Sequence, residues 1–165
     1  MSFLNGRRRG LILSAFLLAT PVFAHGYKAG TLEISHPWSR ETPPSATTGV
    51  GYLSIHNSGT DADRLVSIET AAAQKVEVHE STVENGVAKM RPVGPLEIPA
   101  GGDVTLKPGG LHLMMVGLKE GLAEGERVPA TLVFEKAGRV DIEFEVDSMG
   151  AKGPDAKTDV GHQHH

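Results

Sequence analysis

Cysteine is missing from this chain altogether. That one absence removes disulfides, thiolate metal sites and cysteine nucleophiles together. It also removes the lipidated cysteine of a lipoprotein anchor and the thiolate that a blue-copper electron-transfer site requires. Aromatic residues are scarce, at 5%, and no apolar pattern of helical period runs for long, which argues against a helical bundle. Positive charge is not in excess either. Sixteen Lys and Arg against 20 Asp and Glu give a formal charge of −4, without the basic footprint that a phosphate backbone needs, so nucleic acid is excluded as an expected partner. The apolar run Leu11–Ala19 is well short of the ~20 residues that span a bilayer, so no membrane span is expected in the mature protein.

What is present begins with an export signal. Arg7-Arg8-Arg9 precedes that apolar run, and Val22-Phe23-Ala24 places small residues for cleavage after Ala24, so 1–24 is expected to be a signal peptide and the protein periplasmic. The mature chain then opens on His25. With 20 Gly and 10 Pro, residues 25–150 are expected to form one turn-rich all-β domain, an antiparallel sandwich or barrel. Turn signals at Asn57-Ser58-Gly59, Asn85-Gly86, Pro108-Gly109-Gly110 and Ala137-Gly138 separate short alternating segments. The expected strands are Thr31–Ser35, Gly49–Asn57, Arg64–Glu69, Lys75–Ser81, Val87–Pro92, Asp103–Leu106, Leu111–Leu118, Val128–Glu135 and Arg139–Asp147. The last two read as a scaffold hairpin. After Met149-Gly150 the alternation stops, and 151–165 is expected to be a flexible His-containing tail.

Two histidines and two methionines carry the chemistry. Ten residues separate His79 from Met90, 21 separate Met90 from His112, and one separates His112 from Met114. Residues two apart in a strand share a face about 7 Å apart, so His112 and Met114 can converge on one ion. His79 follows Val76 and Val78, which alternate inward, and is placed to reach a rim site. Beyond it the Asn85-Gly86 turn folds Met90 back toward the same hairpin. Neutral thioethers and imidazoles suit soft Cu(I), whereas Zn(II) and hard cations gain little from thioether sulfur. A thioether also survives in an oxidising compartment where paired cysteines tend to close into a disulfide. Taken singly, each residue has a plainer use: methionine fills cores and histidine decorates surfaces. Met115 illustrates it, alternating with Met114 to face the core.

The spacing His79…Met90…His112-x-Met114 resembles the ligand pattern of the periplasmic copper chaperone A family, PCuAC. The resemblance extends through His36-Pro37-Trp38, Gly51-Tyr52-Leu53, Lys75-Val76-Glu77-Val78-His79-Glu80, Met90-Arg91-Pro92, Leu96–Gly102 and Leu106–Met114. It implies a cupredoxin-like Greek-key β-sandwich or barrel with one Cu(I) site at a loop-rich end. It also implies a carrier that delivers copper to the CuA-bearing subunit of cytochrome c oxidase, a haem-copper oxidase, directly or with an SCO-type copper protein. One departure is visible: some members place methionine after the first histidine, where this chain has Glu80.

Two other functions compete. Copper storage or resistance can use the same four ligands, and an N-terminal His25 offers the amine-plus-imidazole chelate of copper enzymes, although no catalytic residues or partner histidine stand out. His25, His162, His164 and His165 are nitrogen donors suited to Cu(II) and form a candidate secondary site at the termini. Trp38 is expected to pack near the site, His56 to lie on a strand face away from copper, and Arg40, Lys89 and Arg91 to be ordinary solvated surface.

Overall fold

Apolar residues at every second position make strands that are apolar on one side only, and such strands bury that side by closing a sheet on itself. The computed structural model describes residues 26–153. Its eleven strands are β1 (Gly26–Ala29), β2 (Leu32–Arg40), β3 (Thr48–Asn57), β4 (Asp63–Glu69), β5 (Ala73–Glu84), β6 (Val87–Pro92), β7 (Leu96–Ile98), β8 (Asp103–Leu106), β9 (Leu111–Leu118), β10 (Arg127–Phe134) and β11 (Gly138–Asp147). Seven of them close a ring in the order β2-β11-β10-β4-β5-β9-β3, with β3 returning to β2. The expected all-β barrel is therefore the fold, a mixed one, because β11 runs parallel to β2 while the other pairings are antiparallel.

Inside the ring the alternating positions meet: Ile34, Ile55, Leu113, Met115, Leu132 and Phe144 are fully buried. The expected scaffold hairpin pairs Leu132 with Val140 and Ala130 with Ile142. Strands β1 and β7 and the second half of β2 go beyond the sequence expectation. In β2 the reason is a bulge between Ser35 and Trp38. Two residues there, His36 with φ 50° and Pro37, face a single partner position, which breaks the period-two pattern and turns the strand's sides over. Before the bulge Ile34 lies opposite Ile55 in the core; after it Trp38 lies opposite Tyr52, on the other face of β3.

Strand β5 outlasts the ring. From Ala73 to Glu80 it pairs with β9, and from His79 to Glu84 its other edge pairs with β6. His79 is consequently mid-strand, with β5 running on to Glu84, beyond the expected end at Ser81. Asn85 and Gly86 both have positive φ, 52° and 76°, as the two-residue turn of a twisted hairpin requires. The six residues of β6 are all exposed. The Glu80 carboxylate accepts from Arg91 at 2.8 Å, and Glu84 accepts from Lys89, so charge pairs stitch the hairpin across.

Candidate metal site

The barrel's outer face acquires its chemistry where β6, β5 and β9 lie side by side. Val76 and Val78 of β5, and Leu113 and Met115 of β9, turn inward, so the intervening residues must turn outward. Those residues are Glu77 and His79 on one strand, His112 and Met114 on the other. His79 lies directly opposite His112, and Glu77 opposite Met114. The two imidazole rings are 5.9 Å apart between centroids. His112, the second residue of β9, is 4% exposed, and the His79 side chain 14%.

Each ring uses one nitrogen locally and leaves the other without a partner. His112 Nδ1 lies 3.0 Å from the carbonyl oxygen of Gly110, which only accepts, so Nδ1 carries the proton and Nε2 a lone pair. His79 Nε2 lies 3.2 Å from a Glu77 carboxylate oxygen, so there Nε2 carries the proton and Nδ1 the lone pair. These hydrogen positions follow from the bonding network. His79 Nδ1 and His112 Nε2 are both buried and neither has a hydrogen-bond partner. Leaving one buried polar atom unpaired costs about 1–3 kcal/mol, so two on facing residues make this face the candidate binding site. Glu77 also accepts from Lys75 at 2.9 Å. The bonds from Lys75 and then His79 hold its carboxyl below the usual carboxylate range.

The two methionines lie on the same face. Met114 is one residue along the same face of β9 from His112, opposite Val50 of β3 on its other side. Met90 lies opposite Ser81, hence diagonal to His79 on the same hairpin face, a separation of roughly 7–8 Å between strand positions that a long side chain spans. It is 52% exposed. All four expected ligands are thus brought to one face, buried His112 opposite partly buried His79, Met114 beside them and Met90 at the open rim. Among the described residues no group of three His, Asp or Glu side chains is arranged to hold a metal ion; the four expected donors are two imidazoles and two thioethers.

Neighbouring residues take other parts. Trp38 and Tyr52 stack at 4.5 Å between centroids, both buried yet outside the main core cluster. The Arg40 guanidinium lies 5.9 and 5.8 Å from their rings and donates to the Ala151 carbonyl at 2.8 Å. Burial pushes the Tyr52 phenol up, against the Arg40 charge that pulls it down. Arg40, Lys89 and Arg91 are each committed to intramolecular partners. His56 pairs with Asp103 at 2.8 Å across β3 and β8, away from the histidine pair. His25, His162, His164 and His165 lie outside the described residues. The residue that sequence reasoning passed over is Glu77, although its place two before His79 already put it on the ligand face.

Residues 32–146 match the family described as "Putative lipoprotein LpqE-like". A protein of Leifsonia xyli subsp. xyli, also described as a putative lipoprotein, is 30% identical over 144 residues, 86% of each chain. Among solved structures, the copper-bound PCuAC domain from PmoF2 superposes with a TM-score of 0.66 at 31% identity, covering 75% of this chain and 98% of that domain. The Cu(I) form of DR1885 from Deinococcus radiodurans gives 0.57 at 28% identity, over 76% of this chain and 83% of that one. No helix of the described residues is long and apolar enough to cross a membrane.

Proposed function

The chain belongs to the LpqE-like family, and from that premise we propose that it is an exported copper carrier that binds one Cu(I) through His79, Met90, His112 and Met114. The observation that carries this reading is the pair of facing histidines, each with one ring nitrogen buried and without a hydrogen-bond partner. Cu(I) accepts two neutral nitrogens and one or two thioethers without any change of protonation in the ligands, and thioether sulfur is the donor that selects it over zinc. The copper-bound PCuAC domain and the Cu(I) form of DR1885 support the same choice of cargo.

Half-exposed Met90 supports carriage over permanent residence. A ligand at the rim can leave first and open the ion to an incoming donor while the less exposed histidines still hold it. The recipient in this reading is the CuA-bearing subunit of a cytochrome c oxidase, reached directly or through an SCO-type copper protein, in the periplasm after cleavage behind Ala24. No enzymatic step is assigned. X-ray absorption of the Cu(I)-loaded protein is expected to fit both nitrogen and sulfur scatterers; a shell of nitrogen and oxygen alone would refute the ligand set. Mixing that protein with an apo oxidase subunit is expected to develop the CuA chromophore, and copper that stays bound would identify a store instead.

The termini form a second, weaker part of the proposal. His25, His162, His164 and His165 bring nitrogen donors suited to Cu(II) and raise its local concentration near the core site. A variant ending at Gly150 is expected to lose Cu(II) binding in electron paramagnetic resonance and keep its Cu(I) affinity. Equal Cu(II) binding by the truncated and full chains, unaltered by a His25 substitution, would remove the tail from copper capture.

A further inference from the structure

Glu77 sits where a metal ligand's orientation is decided. It precedes His79 by two residues in β5, so both side chains leave the same face of the strand. One carboxylate oxygen is 3.2 Å from His79 Nε2, and the other is fixed by Lys75 at 2.9 Å. An ionised carboxylate has only lone pairs to offer, and a neutral imidazole has only one proton, so this contact puts the proton on Nε2 and strips Nδ1. Nδ1 is the buried atom without a partner. His112 is set in the opposite sense by a backbone carbonyl, which leaves its Nε2 bare. A strand backbone supplies no such carbonyl to His79 at that place; a side chain does the work there.

We propose that Glu77 is a positioning residue for the metal, locking His79 in the tautomer that presents Nδ1, so that the ion is met by Nδ1 of one histidine and Nε2 of the other. This rests on the copper-binding reading above. A carboxylate against the outer nitrogen of a ligand histidine orients the ring and raises its basicity, and its loss weakens metal binding about 10- to 100-fold. The competing account makes Glu77 half of a surface ion pair with Lys75, with no bearing on copper.

The test has one arm without copper and one with it. In the apo protein near pH 8, where an imidazole is neutral, long-range proton–nitrogen correlation spectra are expected to show His79 protonated only at Nε2. Glu77→Leu is expected to give a mixture of tautomers at His79 and to weaken Cu(I) about tenfold or more in competition with a chromophoric chelator. Glu77→Gln keeps a carbonyl acceptor and is expected to restore the single tautomer and most of the affinity. Lys75→Ala removes the surface ion pair alone and is expected to stay within about threefold of wild type, below the range for a lost outer partner. An unchanged tautomer and affinity in Glu77→Leu, or equal losses in Lys75→Ala and Glu77→Leu, would overturn the assignment. His79→Ala in the same assay separates the two levels: wild-type affinity there sinks the copper reading itself, whereas loss there without loss in Glu77→Leu sinks only the role of Glu77.

Discussion

The four proposed ligands differ in how firmly the fold holds each of them. His112 is buried and oriented by a backbone carbonyl, so His112→Ala removes a fixed nitrogen and leaves the facing His79 nitrogen with no shared ligand. Its effect on Cu(I) affinity is expected to reach about a hundredfold or more, the upper end of what outer-partner losses cause. Met114→Leu keeps the volume and removes the sulfur, so it is expected to weaken Cu(I) strongly with little change in stability. Met90→Leu acts at the exposed rim and should cost less. His56→Ala, whose ring is engaged with Asp103 on another strand pair, should change nothing. Chelator competition measures all four, and equal losses for His112→Ala and His56→Ala would remove the site from this face. At this scale the sequence was legible in residue type and spacing: the period-two pair His112 and Met114 and the hairpin that carries His79 and Met90 do share one face. Which ring nitrogen is left without a partner was not legible, because it depends on the Gly110 carbonyl and on Glu77, contacts that exist only in the folded strands.

Strands Val87–Pro92, Asp103–Leu106 and Leu111–Leu118 coincide with their sequence expectation because strong turn residues bound each of them. β2 was cut short at Ser35 because its bulge reverses the alternation on which the expectation relied, and β7 has only three residues, too few to show a period. Between elements, Asp63 at the start of β4 is a joint that no motif announces. It is 6% exposed, and its carboxylate accepts the backbone N–H of Lys136 and of Ala137, both at 2.9 Å, at the β10–β11 turn. Burial pushes this carboxyl up, but the backbone donors of Lys136, Ala137 and Arg64 and the Lys136 charge outweigh it, so it lies below its ordinary 3.8. A depressed folded-state value contributes stability above the unfolded value, and that contribution is lost as pH falls below 3.8 toward the folded one. Asp63→Asn is expected to cost about 1–3 kcal/mol at neutral pH. It should also show a smaller further loss below pH 3.8 than wild type in urea titrations; parallel pH curves would refute this. In the hairpin, Gly86 has open space around its α-carbon but φ of 76°. Gly86→Val therefore strains the turn by about 1–3 kcal/mol without a clash. Because Met90 is held only through that hairpin, Cu(I) affinity is expected to fall with the hairpin's order rather than with global stability.

The closure of the molecule was the least legible feature, since nothing local in β11 says that it will lie parallel to a strand more than a hundred residues earlier. What the sequence does contain is the consequence of closure, one apolar side per strand. Closure also decides how copper and folding are related. In a small metal-dependent module the ligands come together only with the ion, and the apo chain is unfolded. Here His79 and His112 are neighbours because β5 and β9 share the most extensive antiparallel register at the site, and that register is fixed from behind by Val78, Leu113 and Met115 in a core that contains no metal donor in use. The apo protein is therefore expected to unfold cooperatively from a native β spectrum, with Cu(I) adding only the linkage term, about 2.7 kcal/mol at a free concentration a hundred times the dissociation constant. Amide shifts on adding Cu(I) should cluster in residues 77–81, 88–92 and 110–114 and leave the β10–β11 hairpin unmoved. A disordered apo spectrum, or shifts spread evenly through the barrel, would mean that the ion builds the site instead of entering one already formed.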